Sequence, residues 1–109
     1  MSECIFCKIG NHEMPKDFTY ESEHVMAFPD IHPLRPVHLL VMPKKHIKDF
    51  LDFEEPAIWK EMQDVIKKLI KDNNLGVKGY RLGINGGGAQ LIDHLHVHIL
   101  GPVKRMESM

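Results

Sequence analysis

The stretch His94-Leu95-His96-Val97-His98-Ile99-Leu100 carries a histidine at every second position and an apolar residue in each gap. In a β-strand, side chains at i, i+2 and i+4 leave one face roughly 6.6 Å apart, so the three imidazoles form a row opposite Leu95, Val97 and Ile99. In a helix the middle ring would point away from its neighbours. The β-branched Val97 and Ile99, and the stop at Gly101-Pro102, favour the strand. One face is then hydrocarbon and the other imidazole.

A single histidine on a strand is most often a hydrogen-bonded structural residue. Three in register are harder to accommodate, because every ring nitrogen needs a partner and protonation brings like charges together. A row of this kind suits metal ligation, or a nucleophile with an acid/base partner.

A chain of 109 residues buries enough surface to fold as one domain, 1–109, without disulfides. Fourteen basic and fifteen acidic residues give a net charge of −1. Without a long run of one sign, no extended nucleic acid is expected as a partner, whereas a small anion held locally is compatible. Met1 to Gly10 lacks the charged and apolar regions of a signal peptide, and nothing approaches the ~18 apolar residues of a membrane helix. A soluble, cytoplasmic protein with no membrane partner is expected.

The two cysteines, Cys4 and Cys7, frame Cys-Ile-Phe-Cys and have no other cysteine to pair with. A disulfide framework is excluded, and no strand precedes the motif as a thioredoxin-like redox pair requires. A zinc knuckle remains, provided two histidines join, and eight are present; plain reduced thiols are the alternative.

Along the chain, residues 3–10 read as a short helical turn. Phe18 to Glu21 and Val25 to Phe28 read as paired strands, and Pro29, Pro33 and Pro36 keep the following segment irregular through Val37. His38 to Met42 suits a central strand. Asp52 with Glu55 offers a helix start, and Ile58, Met62, Val65, Ile66, Leu69 and Ile70 then recur on one face of a long helix ending near Asn73 to Gly76. The charged opposite face reads as solvated surface. Tyr80 to Ile84 is another strand, and the glycine-rich loop Asn85 to Ala89 leads to the histidine row. The expected fold class is α+β: about five antiparallel strands, with one long helix and a short N-terminal helical turn packed on a face. His12, His24 and His32 fall in surface segments, and His38 is expected to be a hydrogen-bonded core residue.

The histidine row resembles the His-φ-His-φ-His-φ-φ signature of the histidine triad (HIT) family. Cys4-Ile5-Phe6-Cys7-Lys8-Ile9, Ala27-Phe28-Pro29-Asp30-Ile31 and His38-Leu39-Leu40-Val41-Met42-Pro43-Lys44-Lys45-His46 are similar to successive blocks of small members of the Hint-like, nucleotide-binding branch. The resemblance spans nearly the whole chain. It implies a HIT-like fold, a homodimer whose sheets join, and a site for a purine nucleotide or nucleotidyl substrate.

By position, it implies that His96 is the nucleophile, forming a nucleotidyl-histidine that water resolves, and that His98 binds the phosphate or protonates the leaving group. Phe28 and Ile31 would wall the base, Asp30 would bind the ribose, and Asn85 and Gln90 would hold phosphate oxygens and the triad. Structural zinc would sit on Cys4, Cys7, His46 and His94. His94 would then serve catalysis through its backbone carbonyl. Position 91 is leucine where the family commonly has serine or threonine, Asn85 lies closer to Gln90 than is usual, and Val37 replaces a small residue. The expected function is hydrolysis or transfer at the α-phosphate of a nucleoside 5′-phosphoramidate or adenylated compound. The alternatives are dinucleoside polyphosphate hydrolysis and a non-enzymatic, zinc-stabilised nucleotide-binding module.

Overall fold

From Leu39 to Met42 the chain is apolar without interruption, and a strand of that kind needs cover on both faces. In the computed structural model, which describes residues 4–105, this segment belongs to the middle strand of a five-stranded sheet. The strands are β1 (Tyr20–Glu21), β2 (Val25–Pro29), β3 (Val37–Pro43), β4 (Arg81–Ile84) and β5 (Val97–Gly101). Their spatial order is β1-β2-β3-β5-β4, and every neighbouring pair is antiparallel. The class is α+β, as expected.

Alternation along the strands divides the interior into two layers. Val25, Ala27, Leu39, Val41, Val97 and Ile99 turn to one face, where α2 (Pro56–Asp72) supplies Met62, Val65, Ile66, Leu69 and Ile70. Leu75 of the short α3 (Leu75–Lys78) joins them. Met26, Phe28, Leu40 and Met42 turn to the other face, against Phe6 and Ile9 of α1 (Ile5–Gly10). The two expected helices therefore lie on opposite faces of the sheet rather than on one. Two apolar faces on β3 leave no other arrangement, since either face left bare would expose hydrocarbon.

The boundaries differ where local chemistry intervenes. α2 begins at Pro56, at the position where proline's missing N–H is harmless, and the expected Asp52–Glu55 start does not form. Instead Phe50–Asp52 makes one 3-10 turn, capped by Asp49. Asn73 closes α2, and Asn74, in the left-handed region with φ 58°, starts α3, which the apolar pattern did not reveal. The Tyr80 strand starts one residue later, and the Phe18 strand pairs only at Tyr20 and Glu21.

The histidine row is only partly strand. The ladder between β3 and β5 ends at Val41 opposite Val97, so His94 and His96 precede it. There Leu95 N–H donates to the Ile47 carbonyl at 2.6 Å, and the His94 ring takes the Pro43 carbonyl at 2.7 Å. Ring and loop thus use the groups that further pairing would have required.

Leu69→Ala, at the fully packed centre of α2, is expected to lower the unfolding free energy by about 2–5 kcal/mol. Lys68→Ala, which removes only an exposed pair with Asp72 (2.6 Å), should change it by less than about 0.5 kcal/mol. Urea denaturation of both variants measures the contrast.

Candidate active site and metal-ligand cluster

The histidine side chains gather on the α1 face of the sheet. His96 is buried, and its Nδ1 is 2.7 Å from the carbonyl oxygen of His94, two residues back. A carbonyl only accepts, so the His96 proton is on Nδ1 and the Nε2 lone pair is left for an electrophile.

A second chain of contacts fixes the opposite tautomer on His98. The Leu34 N–H donates to Nδ1 of His38 at 3.0 Å, so neutral His38 carries its proton on Nε2. That Nε2 lies 2.9 Å from His98 Nδ1 and 3.4 Å from Asp30 Oδ2. His98 Nδ1 accordingly accepts, and the His98 proton resides on Nε2. This atom is buried, and among the described residues it has no hydrogen-bond partner. Burial, reinforced by His96 and His38, pulls His98 down to about 4, with Asp30 opposing. Burial also lowers His38 below its ordinary value, again against Asp30. Both rings are neutral near pH 7. With the His96 and His98 ring centroids 4.9 Å apart, a lone pair and an unsatisfied N–H donor stand side by side. This pairing fits attack on a centre that bears an oxygen needing a donor.

His38 is buried and hydrogen-bonded, as the sequence suggested, but its partner is His98, which brings it into the site. Only strand pairing could have disclosed this, because His38 faces Leu100 in the register and meets His98 on the diagonal.

Phe28, Leu40 and His98 form a row across β2, β3 and β5 on this face. Two strand spacings separate Phe28 from His98, on the order of 10 Å. Asp30 follows β2; its N–H donates to the His38 carbonyl at 2.9 Å, and its Oδ1 accepts from His32 N–H at 2.8 Å. Ile31 stands at the rim, 73% exposed.

Asn85 is exposed and makes no hydrogen bond among the described residues. Gln90 is buried, and its amide fastens the glycine-rich loop: Oε1 accepts from Gly88 N–H at 3.0 Å and Nε2 donates to the Lys48 carbonyl at 3.1 Å. Asp49 Oδ1 holds the same loop through Gly87 N–H at 3.2 Å and approaches Gly86 so closely that a Cβ there would lie 2.5 Å away. Leu91 projects from this loop almost entirely exposed. His12 and His24 meet Glu21 (2.6 Å) and Glu23 (3.8 Å) at the surface.

A separate cluster sits where α1 begins. Cys4 caps the helix, its Sγ accepting from Cys7 N–H at 3.4 Å. His94 Nδ1 is 3.3 Å from Cys4 Sγ and 3.6 Å from Cys7 Sγ, and His46 Nδ1 is 3.3 Å from Cys7 Sγ. The four ligand atoms all lie within 4.8 Å of one another. Tetrahedral zinc with metal–ligand bonds of about 2.0–2.3 Å has edges of about 3.3–3.8 Å, so the donor set fits such an ion closely. The His94 Nε2–H donates to the Pro43 carbonyl, which aims the Nδ1 lone pair at the sulfurs. Burial, then the neighbouring Cys4, pushes the Cys7 thiol up to about 11, and burial lowers His94 to about 4. A metal would have to displace thiol protons on binding.

Asp30, His38 and His98 also converge within 4.8 Å, but the Leu34 N–H occupies the His38 nitrogen that would have to carry the proton if Nε2 were a ligand. A donor would then face a donor. Of the two groups, the Cys4 cluster is the one that offers lone pairs to a metal.

A family model described as "Scavenger mRNA decapping enzyme C-term binding" matches residues 3–109. A HIT-like protein of Methanocaldococcus jannaschii is 40% identical over 99 residues, covering 89% of this chain and 77% of the relative. The structure of a HIT family hydrolase from Clostridium thermocellum aligns with a TM-score of 0.90 at 38% identity, covering 100% of this chain and 98% of that one. A histidine triad protein from Clostridium difficile aligns at 0.89, also at 38% identity and covering 100% and 98% of the two chains. With triad, sheet and flanking blocks all accounted for, the chain belongs to the histidine triad family.

Because His98 titrates lower when folded than its unfolded value of about 6.5, the unfolded chain binds more protons between the two. Its contribution to stability is therefore complete above about pH 6.5 and is lost as the pH falls through about 4. Denaturation profiles should show stability falling across that interval, and His98→Gln should remove the part of the fall that this group contributes.

Proposed function

We propose that the protein is a nucleotidyl hydrolase or transferase acting at the α-phosphate of a nucleoside 5′-phosphoramidate or a related adenylated compound. The observation that carries this reading is the opposed tautomer pair, with a free lone pair on His96 Nε2 and an unsatisfied proton on His98 Nε2. His96 Nε2 forms a bond to phosphorus as the bond from phosphorus to the leaving group breaks. The His94 carbonyl supports the positive charge that then develops on the His96 ring. His98 Nε2–H donates a hydrogen bond to a phosphate oxygen and stabilises the charge that builds there, while the departing amine takes its proton from water. Water next attacks the nucleotidyl-histidine, releasing the nucleoside monophosphate and restoring the imidazole.

In this reading Phe28 and Ile31 wall a purine and Asp30 takes the ribose hydroxyls. Asn85, free of other bonds, reaches phosphate oxygens, while Gln90 acts by holding the loop. Leu91 supplies no hydroxyl, which leaves the donor role to His98. Cys4, Cys7, His46 and His94 hold a structural zinc ion, which when bound ties α1 to the residue whose carbonyl orients the nucleophile. Two copies join at sheet edges; β4 has half-exposed Leu82 and Ile84 for this. Among the described residues no helix is long and apolar enough to cross a membrane, in keeping with the proposed cytoplasmic location.

Mass spectrometry of reactions quenched in alkaline denaturant, which spares a P–N bond to histidine, should trap a nucleotidyl adduct in the wild type and none in His96→Ala. Turnover of an adenosine phosphoramidate should exceed that of a dinucleoside polyphosphate; the reverse order selects the polyphosphate-hydrolase alternative. A wild-type protein that binds nucleotide but neither forms the adduct nor turns over either substrate is a binding module. Metal analysis of protein purified without added zinc should find about one ion per chain, lost in Cys4→Ser together with part of the thermal stability. A ratio near zero, unchanged by that substitution, would remove the zinc assignment.

A further inference from the structure

Phe28 has almost no free surface, and one of the groups covering it is a cation. The half-buried Lys16, in the segment between α1 and β1, places its Nζ 4.9 Å from the Phe28 ring centroid. Phe6 and Phe18 make T-shaped contacts with the same ring, at centroid distances of 5.7 and 6.2 Å. Lys44 and Lys60 reach carboxylates at 2.6 and 2.8 Å. Among the described residues Lys16 has no carboxylate in ion-pair range, and the aromatic face is its partner.

We infer that Lys16 reads the edge of the bound base and makes the site selective for guanine over adenine nucleotides. The inference rests on the proposed role of Phe28 as the wall of the base site, and within that reading it ranks guanylated substrates above the adenylated ones. A base seated on that wall must take the place of the ammonium. In its present position the cation has no carboxylate partner among the described residues, and a base taking its place on Phe28 brings its edge beside the displaced ammonium. An ammonium has three donors and no acceptor. Guanine turns two adjacent acceptors, O6 and N7, to such a group, whereas adenine offers N7 beside an amino donor that opposes it. Phe28 and His98 lie at opposite ends of the cross-strand row, so Lys16 stands at the base end and not at the phosphate end.

Isothermal titration of the wild-type protein with GMP and with AMP tests this. GMP is expected to bind about tenfold more tightly, the discrimination one well-made base-edge contact supplies. Lys16→Met should weaken GMP by about that factor and leave AMP within about twofold, so that selectivity collapses. Lys16→Gln, whose amide both donates and accepts and so suits adenine N6 and N7, should shift preference toward AMP. Equal wild-type affinities overturn the inference. So does an equal loss for both nucleotides in Lys16→Met, which would make Lys16 a general attractor of phosphate. Failure of the wild type to bind either nucleotide overturns the nucleotide-site reading itself, and the inference with it.

Discussion

The hydrogen bond from His96 Nδ1–H to the His94 carbonyl, 2.7 Å long and buried, is the constraint on which the site depends. It decides which nitrogen of His96 holds the proton, and therefore whether the ring can attack anything. The bond needs the His94 backbone in one position, and the His94 ring has its own fixed partners at Pro43 and the two cysteines. A single residue thus stands between the metal-ligand cluster and His96, with its side chain in one and its carbonyl bound to the other.

His98 is governed by a longer route that begins at a backbone amide. Leu34 N–H sets His38, His38 sets His98, and the result is a proton on the one ring atom that the protein leaves unsatisfied. Leu34, in the proline-containing segment before β3, therefore bears on the site through its backbone amide alone. Neutrality of both rings follows from burial, so the arrangement persists at neutral pH.

Much of this could be read from residue order. Alternation from His94 to Leu100 correctly separated a histidine face from a hydrocarbon face, and the Cys4–Cys7 spacing pointed to a ligand pair awaiting two histidines. The helical stripe from Ile58 to Ile70 was legible because one face of α2 is buried and the other solvated. The part that stayed hidden depends on pairing across the sheet. His38 meets His98 only because β3 and β5 are neighbours in one register. Lys16 reaches Phe28 only because the segment after α1 folds over the end of β2. The start of α2 was misplaced because a capping pattern at Asp52 competed with Pro56, and proline at the first turn prevailed. Position of α1 on the second face follows from the two-sided character of β3, which periodicity along a single strand does not assign to any particular partner.

The two layers of the interior are unequal in size and in anchoring. Beneath α2, a seventeen-residue helix closes over most of the large apolar cluster; on the other side, a six-residue helix brings only Phe6 and Ile9. So short a helix has little stability of its own, and it holds its place through those side chains and the ligand cluster at its first turn. Yet Phe6 makes T-shaped contacts with both His94 and His96, at 5.7 and 5.3 Å between ring centroids. The lamina that carries the histidine row is thus the weaker of the two, and local opening would release the His96 ring while the scaffold beneath α2 stayed folded.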